Sequence, residues 1–284
     1  MPDKPTPVAS ERFSLPGHAI VAMRGADAVT FAQAQFMNDV NTLPAGHWHW
    51  NGWLSAKGRV LALFALLKFE DGTLWLLLPD GDAAALVEGL RRFVFRSKVT
   101  LATSDDLRVS GAFASAAACG GAISGNPDDG VELDLGADAG PRTLRIDTQC
   151  APVDAVAARR WDAFDLRHGL PRLLQDQREQ WTPQQLSLSR LNAYSVKKGC
   201  YPGQEIVART HFLGQAKRGL VVLDTDATLL PGVEVRAGEQ RLGSVVSTAD
   251  GVALAVMGEA AEGDAVRIDG QRARVATLRG GLAR

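Results

Sequence analysis

Cysteine is scarce in this 284-residue chain, with only Cys119, Cys150 and Cys200 present. The number is odd, the spacing is wide and no CxxC occurs. Both a disulfide framework and a cysteine-rich zinc site are therefore disfavoured, and one of the three is left as a candidate free thiol. Long apolar stretches are also lacking. The longest runs only from Val60 to Leu67, whereas a membrane-spanning helix needs roughly 20 apolar residues. The N-terminus, MPDKPTPVASER, has neither the basic start nor the apolar stretch of a signal peptide. It reads as a disordered tail on a cytoplasmic protein. Neither sign of charge dominates: 31 Lys+Arg face 32 Asp+Glu. That balance argues against sequence-independent coating of nucleic acid, which draws on phosphate neutralisation, but leaves room for a local basic groove. No GxGxxG or Walker loop occurs, so nucleotide cofactors are unsupported. The five histidines are scattered and give no Ser-His-Asp context.

The apolar share, 46 %, suffices for a sizeable core, and the length suits two domains or three small ones. Residues 25–40 carry helical spacing (Phe31, Ala34, Gln35) behind Asp27 as a candidate cap. GHWHWNGWL (46–54) alternates with period two and predicts a strand. His47 and His49 share one side of it, read as a solvated face rather than a metal site, with Trp48 and Trp50 on the other. Val60–Leu67 and Leu74–Leu78, joined through Asp71-Gly72, predict a buried hairpin. Asp82 opens a helix with Leu86, Val87, Leu90 and Phe93 on one face. Residues 102–150 give only loosely patterned strands. The clearest helix lies in 152–172, with Pro152 at its start, Gly169 and Pro171 at its end, and Val153, Val156, Ala157, Arg160 and Phe164 along one side. After Lys217 short β segments follow, among them VEVRAGEQRLGSVV and a hairpin turning at Asp269-Gly270. Such a run of short strands predicts a small closed barrel.

One segment carries chemistry: SVKKGCYPGQEIVARTHFLGQAKRGL, residues 195–220. Gly199 and Gly203 bracket a tight turn holding Cys200, and Pro202 suits the first position of a helix. Lys197, Lys198 and the helix dipole would favour a thiolate at Cys200. Gln204 and Glu205 offer an amide and a carboxylate to a polar heterocycle. Taken alone, the same residues also fit a structural turn with an inert cysteine. Likewise Trp161, beside Arg159 and Arg160, is by itself a plausible core aromatic. The basic clusters Arg91, Arg92, Arg96, Lys98 and Arg209, Lys217, Arg218 fit either a solvated surface or steering of an anion.

KKGCYPGQEIVAR resembles the signature of the YgfZ family of folate-binding proteins, relatives of the glycine-cleavage T-protein. FAQAQFMNDV, the Lys57-Gly58-Arg59 step, FVFRSKVTL, LRHGLPRL and WTPQQLSLSRL are similar to further family segments, in the same order along nearly the whole chain. The resemblance implies an α+β fold, a three-lobed ring of T-protein type ending in a small β-barrel. It implies a folate-binding lobe of residues 1–50 plus 151–216, an inserted lobe of 51–150 and a barrel of 217–284. It further implies a tetrahydrofolate-type cofactor in the central channel and a role in maintaining iron–sulfur enzymes, including those that thiolate tRNA. Cys200 and Lys198 are the expected catalytic pair. Trp161, His18, Tyr201, Gln204, Glu205 and Arg209 are the expected folate-binding set, His18 lying close to where the family carries a second tryptophan. Ser187 stands where the family has asparagine. The partners implied are folate and, transiently, iron–sulfur enzymes. A T-protein-like one-carbon transferase and a tRNA-binding module are the alternatives, and direct nucleic-acid contact has no RRM, KH or zinc-finger pattern behind it.

Overall fold

The alternation of apolar and polar residues builds three antiparallel sheets. The computed structural model describes residues 11–214, 216–226, 229–258 and 265–284. The tail expected at the N-terminus lies outside them through residue 10. Chain order begins β1 (Phe13–Ser14), β2 (Ala19–Arg24), α1 (Ala28–Gln35), β3 (His47–Leu54), β4 (Val60–Lys68), β5 (Leu74–Leu78) and α2 (Ala83–Arg91). It continues with β6 (Thr100–Thr103), β7 (Arg108–Ala112), β8 (Ile123–Asn126), β9 (Gly130–Asp134), β10 (Thr143–Asp147), α3 (Ala155–Arg167) and α4 (Gln204–Leu213). The last third holds β11 (Gly219–Asp224), β12 (Glu234–Ala237), β13 (Gln240–Ala249), β14 (Val252–Met257), β15 (Val266–Ile268), β16 (Gln271–Arg272) and β17 (Arg274–Ala276).

The first sheet has the order β3-β4-β5-β2-β6. The uninterrupted apolar run of β4 follows from burial on both faces. Leu63, Ala65 and Leu67 enter one core, while Ala62, Phe64 and Leu66 enter another beneath α1 and α2. A strand covered on both sides cannot alternate with polar residues. The second sheet, β1-β7-β10-β9-β8, takes up much of the weakly patterned stretch 102–150. The third has the order β16-β15-β12-β13-β14-β11-β17. Its two edge strands are separated in sequence by Ala273 alone, so the edges meet and the sheet curls into a barrel. The fold is α+β, three lobes around a shared core. That core joins Trp50 and Leu77 of the first sheet, Val109 and Leu144 of the second, Trp161 of α3 and Val222 of the barrel. The expected division at 50/51 falls inside β3, and the change from the first sheet to the second comes between β6 and β7. No helix among the described residues is long and apolar enough to cross a membrane.

Several local expectations hold. Asp82 caps α2 through Ala85 N, and Gly169 ends α3 in a left-handed conformation. Others are corrected. Asp27 makes no side-chain cap, because its carboxylate accepts Lys98 N–H at 2.6 Å across the lobe. α3 is capped by Asp154 rather than started by Pro152. Its buried side is Trp161, Asp165 and Leu166, and Val153 and Val156 are exposed. The reason is a buried ion pair: Arg142 reaches Asp165 at 2.8 Å and turns that face inward despite its polarity.

Candidate functional site

Two glycines set the position of the Cys200 turn. Gly58 (φ 69°) and Gly203 (φ 77°) both occupy the left-handed region that favours glycine. A Cβ on Gly203 would lie 2.6 Å from Ser55 O and 2.7 Å from Gly58 Cα. The Lys57-Gly58-Arg59 turn and the turn after Cys200 are thus docked backbone to backbone. This docking also corrects the helix start: Pro202 lies outside α4, which begins after Gly203.

Lys198 anchors the turn from the other side. Its side chain is buried, and Nζ donates to Gln33 O (2.6 Å), Phe36 O (2.5 Å) and Asn38 O (3.1 Å), the carbonyls that leave the end of α1. Burial lowers its pKa to about 8, against the opposing pull of the Asp39 carboxylate. The ammonium expected beside the Cys200 sulfur is therefore committed to main-chain carbonyls. Tyr201 is buried under it, with Nζ 5.0 Å from the ring centroid and its hydroxyl donating to Ser195 O. Gln204 Nε2 donates to Lys198 O at 3.1 Å. Cys200 itself is exposed at the tip. Glu205 and Arg209 lie exposed on α4.

Sequence reasoning missed the polar core next to this anchor. Asn38 N–H and Gly52 N–H both donate to Asn51 Oδ1 (2.8 and 2.9 Å), which orients the amide so that Nδ2 donates to His49 Nε2 at 3.1 Å. Asn38 Nδ2 donates to Trp50 O and Asn192 O. His49, expected on a solvated face, is 8 % exposed, because the chain leaving α1 covers that side of β3. Burial, with lesser contributions from Lys198 and Lys68, lowers its pKa to about 4 despite Asp39.

His18 and Trp161 belong elsewhere. His18 lines a cavity of about 420 Å³ between the lobes, together with Asp80, Asp162, Arg172, Leu174 and Leu230. Burial, then Arg172 and Arg142, hold its imidazole well below the usual range, so it is neutral. Arg172 ties the wall: Nη2 reaches Asp162 at 2.6 Å and Asp165 at 2.9 Å, and Nη1 bonds Pro79 O. Trp161 is 1 % exposed and borders a small inner void with His18 and Trp50. Its ring already has the Arg142 guanidinium over it at 4.2 Å, so in this structure it packs the core rather than offering a free stacking face. Tyr201, Gln204, Glu205, Arg209 and Cys200 line neither space. The residues expected to form one site thus form two, a thiol turn and an interlobe cavity. Ser187, in a left-handed conformation (φ 50°), accepts from Leu220 N–H and so joins the linker to the barrel. A wider depression at the barrel end has its carboxylate, Asp224, already paired with Arg167 and Arg274.

No family model matches the chain. It is 30 % identical over 273 residues to the tRNA-modifying protein YgfZ of Enterobacter sp. (strain 638), covering 85 % of this chain and 83 % of that protein. It is 29 % identical over 263 residues to the tRNA-modifying protein YgfZ of Sodalis glossinidius, with 83 % and 79 % covered. The glycine cleavage system aminomethyltransferase T from Bartonella henselae superposes with a TM-score of 0.72 over 95 % of this chain and 86 % of that one. At 17 % identity this is a likeness of fold alone. The sequence likeness extends along most of both chains and takes in the glycine-anchored turn that carries Cys200: the chain belongs to the YgfZ family.

Proposed function

We propose that the protein is a folate-binding accessory factor that supports iron–sulfur enzymes, including those that modify tRNA. In this reading it holds a reduced folate in the interlobe cavity and presents Cys200 as its reactive thiol. The observation that carries the reading is the Cys200 turn: an exposed sulfur on a loop whose flanking residues are fastened by Lys198, Tyr201, Gln204 and the Gly58–Gly203 contact. A loop with no chemical task has little need of a buried ammonium to hold it. The cavity fits a folate in size and character. Its 420 Å³ falls in the roughly 300–1,000 Å³ range of small-molecule sites. Leu15, Pro79 and Leu174 give apolar walls, while His18, Asp80 and Arg172 give polar groups. A folate bound there would supply one-carbon or reduced-pterin chemistry. The chain's own part is to orient the pterin and exclude water.

Cys200→Ala in cells lacking the native protein is the test. Thiolation of tRNA and the activity of iron–sulfur enzymes should fall to the level of the deletion strain, with the variant present at normal abundance. Full complementation by the variant would remove the thiol from the mechanism. Calorimetric titration of the purified protein with tetrahydrofolate tests the other half, and no heat of binding would remove folate.

A further inference from the structure

Two buried polar atoms on the wall of the interlobe cavity have no protein partner. Asp80 Oδ2 is an acceptor with nothing donating to it, and Arg172 Nε is a donor with nothing to receive it. They do not pair with each other: the ion pairs of Arg172 go to Asp162 and Asp165. Buried groups of this kind are normally satisfied, and leaving one unpaired costs about 1–3 kcal/mol. Burial accordingly pushes the Asp80 carboxyl up to about 6, even though Arg172 and a backbone hydrogen bond from Leu173 favour its charged form. An unpaired acceptor and an unpaired donor on one wall call for a ligand that presents a donor and an acceptor along one edge.

A pterin has such an edge, with its 4-oxo oxygen, N3–H and 2-amino group in a row. We propose that Asp80 and Arg172 read that edge, Asp80 Oδ2 accepting from N3–H and the 2-amino group while Arg172 Nε donates to the 4-oxo oxygen. This rests on the folate reading and sharpens it, since it names the part of the ligand that is recognised and the residues that select it. The pterin then lies inward with its amidine edge on the wall. The aminobenzoyl portion points to the mouth, where Leu174 and Leu230 are exposed (50 % and 74 %) and offer apolar contact. Neutral His18 adds no cation to compete for the carboxylate.

The experiment is calorimetric titration of wild type and Asp80→Asn with tetrahydrofolate and with its 2-desamino analogue. Hydrogen bonds to a charged group predict a loss of about 10–100-fold on either change alone. The two losses should not add, because both remove the same contact. Asp80→Asn should melt at or above the wild-type temperature, since the carboxylate is held against its burial preference, so weak binding by the variant would not reflect misfolding. If wild type binds tetrahydrofolate but accepts the desamino analogue within about twofold, the edge assignment falls and the folate reading stands. If Asp80→Asn binds tetrahydrofolate as wild type does, the assignment falls in the same way. If wild type binds no folate, both fall together.

Discussion

His49 lies on an exposed-looking strand yet titrates as a core residue. Its pKa, lowered to about 4 from 6.5 mainly by burial, makes it a proton-linked stability element. The native imidazole stays neutral between these values while the unfolded one takes up a proton. Stability is therefore complete above pH 6.5 and drains as pH falls toward 4, by about 3 kcal/mol in all. Protonation would also set an N–H against the Asn51 amide, which already donates to Nε2. Urea unfolding of wild type and His49→Gln at pH 7 and pH 4.5 checks this. The wild-type midpoint should drop more than that of the variant, and equal drops would contradict the assignment. Lys198 teaches the same lesson for a motif residue. It is part of the KGCY signature, but its immediate work is to bind the carbonyls of Gln33, Phe36 and Asn38.

At the scale of elements, the turn bearing Cys200 is held by the β3–β4 hairpin rather than by α4. Gly203→Ala would impose the left-handed conformation on a side chain and drive its Cβ into Ser55 O and Gly58. We expect a loss of at least about 2 kcal/mol, from the backbone strain and from the forced displacement together. Gly251 is the control: φ is 68° but nothing lies within 4 Å of its added Cβ. Gly251→Ala should therefore cost only the strain, about 1–2 kcal/mol. Chemical denaturation of the two variants compares them, and equal losses would mean that the Gly58–Gly203 docking contributes nothing. α3 shows how one buried ion pair redirects an element. Arg142–Asp165 draws a polar face inward and leaves Val156 in solvent.

At the scale of the molecule, the three lobes are fastened by the segment that follows the barrel. Arg279 N–H donates to Arg167 O, Trp50 Nε1 donates to Leu282 O, and Arg284 donates to the carbonyls of Asp134 and Gly136. One short stretch thus touches α3, the first sheet and the second sheet in succession. Leu282 is 2 % exposed within the core that all three sheets share. Leu282→Ala should cost about 2–5 kcal/mol as a cavity substitution. It should also shift tryptophan emission to the red, because Trp48 and Trp50 lie beneath the strap. A thermal melt with fluorescence detection checks both, and unchanged emission would show that the strap does not seal this layer.

Much of this was legible from the residues themselves. The two-sided apolar run of β4, the Asp82 cap, the stop at Gly169 and the turn at Asp269-Gly270 are local facts of propensity and stereochemistry, so they survive in any context. The motif glycines, too, announced a tight turn around Cys200. The tertiary structure alone decided what covers each face and which groups meet. Periodicity marks His49 as opposite Trp50 but cannot say that the chain leaving α1 will bury it. Spacing puts Lys198 near Cys200, but the carbonyls that capture its ammonium come from about 160 residues earlier in the chain. The division of the expected folate set into a turn and a cavity has the same origin. Hydrogen-bond partners and desolvation are properties of long-range packing, whereas turns, caps and strands answer to neighbours a few residues away.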